Sequence, residues 1–78
     1  MTDAHIVPDV YHPNDPTEVR VSPSMVAVWA LIGYWKALGC GPAEVCHAYG
    51  IMVEEMDVAL CYYGGHKTEI DVRLLQNG

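Results

Sequence analysis

Positive charge is scarce: the 78 residues hold four Lys and Arg against ten Asp and Glu, a formal net charge of -6. Such a chain repels phosphate and has no electrostatic footprint for nonspecific nucleic-acid binding; a basic partner suits it better. Cysteine is also sparse, with Cys40, Cys46 and Cys61 an odd number without paired spacing. That pattern disfavours a secreted disulfide framework and fits a reducing cytoplasm. No basic stretch leads into an apolar one after Met1, so no signal peptide is expected. The uncharged run from Met25 to Trp35 is too short to span a bilayer, and Lys36 closes it. Internal repeats and low-complexity tracts are missing as well.

Apolar residues are plentiful. They make up 51% of the chain while charged residues are 18%, so some apolar surface is expected to be covered by a partner, and a homo-oligomer is expected. The length allows one domain and little more.

Along the chain, β-prone pieces at Ile6-Val7, Val10-Tyr11 and Glu18 to Val21 surround the turn-forming stretch His12 to Pro16. They predict an N-terminal hairpin or extended arm over residues 1–22, kept at a sheet edge by Pro8 and Pro13. Ser22 as a cap and Pro23 at the first helical position predict a helix from Pro23 to Leu38, ended by Gly39, Gly41 and Pro42. Val28, Leu31, Ile32, Trp35 and Leu38 share one of its faces, but the other faces are apolar too, which predicts burial all round.

A second helix starts at Pro42 and closes at Gly50, a position suited to the left-handed conformation. A third runs from Val53 to about Tyr63 and is expected to break at Gly64-Gly65. Residues 65–78 read as an amphipathic helix in which Ile70 and Leu74 stand four apart.

Between Pro42 and Leu60 the residues match two helices joined at a tight angle: Val45 and Tyr49 make contacts, Cys46 allows close approach, Gly50 turns, Ile51 plugs the turn, and Met56 and Leu60 anchor the next helix. The expected fold is therefore mainly α, with a helix-turn-helix-like (homeodomain-like) trihelical core over residues 23–64, a short N-terminal β-hairpin and a C-terminal helix. In a DNA-binding unit the second helix of such a pair meets the major groove. Here the possible DNA-facing positions are Val53, Glu54, Glu55 and Asp57, and three carboxylates facing a polyanion argue against DNA.

The stretch from about Arg20 to Leu74 resembles the small bacterial proteins of domain-of-unknown-function family 433. The matching residues are Val28-Trp29, Pro42-Ala43-Glu44-Val45 with Tyr49, Val58 to Tyr63, and the ending His66-Lys67-Thr68-Glu69-Ile70-Asp71. This resemblance implies a trihelical helix-turn-helix-like fold and an antitoxin-like role in holding a PIN-like nuclease toxin inactive, with autoregulation of the operon. The family's Gly-Thr-Arg element before the first helix is replaced here by Val21-Ser22-Pro23-Ser24-Met25-Val26.

No nucleophile with a partnered base, Gly-rich phosphate loop or placed carboxylate pair is evident, so an enzyme is not expected, and no cofactor is implied. Cys40, Cys46, His47, Cys61 and His66 lack the close pairing of structural zinc ligands, and no metal site is expected. Core packing accounts for Trp35 and Tyr49. The residues expected to meet a protein partner are Trp29 and Tyr34 on the first helix and Ile70, Leu74 and Leu75 on a C-terminal docking arm, although the segment from His66 to Leu75 reads equally as a fourth packing helix. Binding to a toxin-like protein is thus the leading expectation, sequence-specific DNA binding by a dimer the alternative, and no membrane association is foreseen.

Overall fold

Val21 organises the N-terminal region, because a β-branched residue flanked by Arg20 and Ser22 places one apolar side chain inward and two polar ones at the margin. The computed structural model describes residues 4–39 and 41–77. In it β2 (Arg20–Ser22) is the middle strand of a three-stranded antiparallel sheet, between β1 (His5–Val7) and β3 (Val26–Ala27). Ile6 pairs with Val21 on one side and Val26 pairs with it on the other, leaving Val21 wholly buried.

The sheet exceeds the expected hairpin by one strand. Val10 and Tyr11, read as a possible strand, instead lie exposed in the connection from β1 to β2, which turns on itself through bonds from the His12 amide to the Asp9 carbonyl and from the Asp15 amide to the His12 carbonyl, both 3.2 Å.

The first helix, α1 (Val28–Leu38), starts five residues later than the expected Pro23. Pro fixes φ in a turn as readily as at a helix start. Here Pro23 to Met25 form the β2–β3 turn, closed by the Met25 amide on the Val21 carbonyl at 2.6 Å, with Met25 itself left-handed at φ 64°. The Val28 amide then bonds the Val19 carbonyl at 3.0 Å, tying the helix start to the sheet. Burial is one-sided: Val28, Leu31 and Ile32 are inside, whereas Tyr34, Ala37 and Leu38 remain exposed, contrary to the all-round burial expected.

The second helix, α2 (Pro42–Tyr49), ends at Gly50, which is left-handed at φ 67°, a region where a Cβ is costly. Ile51 then turns inward, and α3 (Val53–Gly65) follows. Gly64 and Gly65 continue this helix rather than break it; the chain bends at His66, whose amide bonds the Tyr63 carbonyl at 3.0 Å. The last helix, α4 (Lys67–Asn77), packs back on α1 and α3. Val21, Val28, Leu31, Ile32, Val45, Met56, Ala59 and Ile70 are the fully buried core, so sheet and all four helices contribute. The result is mainly helical. Among the described residues no helix is long and apolar enough to cross a membrane.

Candidate protein-interaction surface

The start of α3 is built around a carboxylate. Glu55 is the third residue of the helix and reaches back so that Oε1 accepts the Met52 amide at 3.1 Å, while Oε2 accepts the Ser24 amide of the β2–β3 turn at 2.8 Å. The residue is only 1% exposed. Burial alone would push its pKa up, but the Ser24 and Met52 hydrogen bonds outweigh that and hold the carboxyl below its usual range. Glu55 is one of the possible DNA-facing positions of the sequence, and its carboxylate faces the interior instead.

Because one carboxylate grips both segments, the turn and the helix start lie side by side. Three large apolar residues are partly exposed around that junction: Met25, Met52 and Val53, exposed to 43%, 39% and 55%. Glu54 and Asp57, on the solvent side of α3, border them. Exposed methionines make adaptable contact surfaces, and an acidic border favours a partner carrying Lys or Arg. Sequence reasoning located Val53, Glu54 and Asp57 but missed Met25 and Met52, since the turn holding Met25 was read as helix.

The five residues expected to meet a partner do not form one surface. Ile70 is in the core. Leu74 is half-buried in the seam between α4 and α1, where its Cδ2 would lie 2.9 Å from a Cβ added at Gly33. Trp29, also half-buried, stacks under the Arg73 guanidinium at 4.7 Å. Tyr34 lies 140° around α1 from Trp29 by helix geometry, roughly on the opposite side, and meets Tyr49 edge-on with ring centroids 5.5 Å apart. Tyr49 is itself exposed rather than in the core. Leu75 alone among the three C-terminal candidates is strongly exposed. The C-terminal segment is a packed fourth helix.

Two polar clusters lie among other residues of the described chain. In the first, Asp9 Oδ2 accepts His12 Nδ1 at 2.9 Å and Oδ1 accepts Arg20 Nε at 3.1 Å; these bonds, His12 foremost, hold the Asp9 carboxyl below its usual range. Glu18 is paired with Arg73, which also donates to the Thr17 hydroxyl at 3.2 Å. Donor atoms of Asp9, His12 and Glu18 lie within 4.8 Å of one another, a grouping sequence reasoning did not anticipate. Two guanidinium groups already neutralise the two carboxylates, so a cation would have to displace both. The cluster's evident work is to clamp the β1–β2 connection, which the Tyr62 hydroxyl also holds by donating to the Pro16 carbonyl at 2.6 Å.

In the second cluster, Lys36 and the Tyr63 hydroxyl both donate to Asp71 Oδ1 at 2.8 Å, in an open cleft lined also by Trp35, Gly39 and Lys67. The Asp71 carboxylate raises the Lys36 pKa, and Lys36 in turn lowers that of Asp71. Of the cysteines considered as metal ligands, Cys46 is buried, Cys61 is exposed on α3, and Cys40 lies outside the described residues.

No family model, curated protein or solved structure matches the chain.

Proposed function

We propose that this chain is a non-catalytic binding protein, antitoxin-like in class, which masks a basic partner protein through the apolar, acid-bordered surface at the start of α3. The observation that carries the reading is the exposed group Met25, Met52 and Val53 beside Glu54 and Asp57, in a chain of net charge -6. Apolar residues in the centre provide desolvation and the carboxylates provide steering and register. The resemblance to family 433 makes a PIN-like nuclease the partner to test first.

A helix-turn-helix-like, homeodomain-like arrangement of α1, α2 and α3 is part of the proposal. The left-handed Gly50, the inward Ile51 and the mutual packing of the three helices support it. The same features favour the second reading, a dimeric DNA-binding regulator. It ranks lower because α3 offers Glu54 and Asp57 to solvent, while Arg20, Lys36 and Arg73 are each committed to a carboxylate.

Co-expression with the neighbouring gene's product tests the first reading. Co-purification of a stoichiometric complex that a Val53→Lys substitution breaks is the expected outcome; a chain that shifts its own promoter DNA at low salt and ignores that product would favour the second.

A further inference from the structure

The outer face of α2 reads Ala43, Glu44, His47, Ala48, all exposed, and with Tyr34 and Leu38 of α1 it lines a shallow groove. The two alanines stand symmetrically about the midpoint between Val45 and Cys46, and the inner pair, Glu44 and His47, sets an acid on one side of it and an imidazole on the other. We infer that this face binds a second copy of the chain, with α2 packed antiparallel on α2 of the partner across a two-fold axis. In that arrangement Ala43 meets Ala48 of the partner subunit and Glu44 meets His47 of the partner subunit, and each contact occurs twice, as an isologous interface requires. Alanines at both ends let the helix axes approach to about 8 Å. Leu38, half exposed at 50%, and Tyr34 then cover the flanks of the crossing.

Charge selects the same face. Two copies of net charge -6 repel each other. From Val19 to Ala43 the sequence has no Asp or Glu, and Glu44 is the one carboxylate lining the groove, placed where it meets an imidazole instead of another acid. Neither Glu44 nor His47 makes an ion pair among the described residues. The interface uses residues of α1 and α2 and none of the group at the start of α3, so a dimer would carry two copies of the partner-binding residues. It goes beyond the proposed function and can fail without it.

Sedimentation equilibrium of the full chain under reducing conditions, from micromolar to submillimolar concentration, tests the inference with no partner present. A reversible rise from the 8.6 kDa of one chain to twice that mass is expected. Leu38→Asp weakens the dimer about thirtyfold or more. His47→Glu sets carboxylate against carboxylate twice and weakens it about tenfold. Glu44→His added to His47→Glu exchanges the two groups and returns the affinity to within about threefold of the original, because the pairing is between copies. Circular dichroism confirms folding, and if Leu38→Asp does not fold, the exchange at the exposed positions carries the test. A monomer at every concentration overturns the inference, as does a dimer indifferent to His47→Glu or one that the exchange does not restore.

Discussion

Glu55 and Ser24, thirty-one positions apart, are joined by a 2.8 Å hydrogen bond from the Ser24 amide to the buried carboxylate. That bond locks the β2–β3 turn against the start of α3 and so shapes the surface on which the proposed function rests.

Glu55→Gln keeps the size of the side chain but turns an NH2 group toward one of two amide donors. Chemical denaturation at neutral pH is expected to show a loss of about 2 kcal/mol. The sign with pH follows from the lowered carboxyl. Its contribution is complete above the usual value of 4.5 and is lost as pH falls through the folded-state value. The native chain therefore loses more stability on acidification than the variant does. Because Asp9 and Asp71 titrate in both proteins, the difference between the two stability curves isolates Glu55.

Ile70→Ala distinguishes a packed helix from a docking arm. Full burial of Ile70 leads to an expected loss of about 2–5 kcal/mol, read as a lower denaturation midpoint with no partner present. An unchanged midpoint would mean that α4 is not part of the core.

Arg73→Met removes the contact with Glu18 and Thr17 and the charge over Trp29 together. Faster limited proteolysis within residues 8–19 is expected, with a fluorescence change from Trp29 and a global stability loss of about 1 kcal/mol. Cleavage elsewhere first would argue against the clamp.

In a Cys40→Ser background the two remaining thiols should react with a thiol reagent at very different rates. Cys61 is exposed and reacts in the native state; Cys46 is buried, its thiol pKa raised by that burial, and reacts only on opening. Equal native rates would contradict the packing of α2 on α3.

Much of this architecture could be read locally. Pro42, Gly50 and the apolar spacing located α2, its left-handed end and α3, and the amphipathic pattern after Gly65 located α4. Ser22 and Pro23 misled because a cap followed by proline has the same local chemistry as a β-turn, and the choice is made by Glu55, far along the chain. That error hid β3 and Met25. Tyr49 is exposed where core packing was expected, and Ile70 took the packed of its two readings, for a related reason. Periodicity shows that a helix has an apolar face, but not whether an eight-residue helix ends before its last aromatic is covered, or whether a terminal helix folds back. The acidic character of the α3 surface was legible; its apolar centre depended on a tertiary contact.

The most direct measurement is the affinity of the neighbouring gene's product for the native chain and for a Glu54→Lys, Asp57→Lys variant across a range of salt concentrations, by titration calorimetry. Binding that weakens as salt rises, and that the charge reversal weakens by about tenfold or more, is the expected result. Equal affinity of the two proteins, or salt-independent binding, would contradict an acid-bordered docking surface at the start of α3.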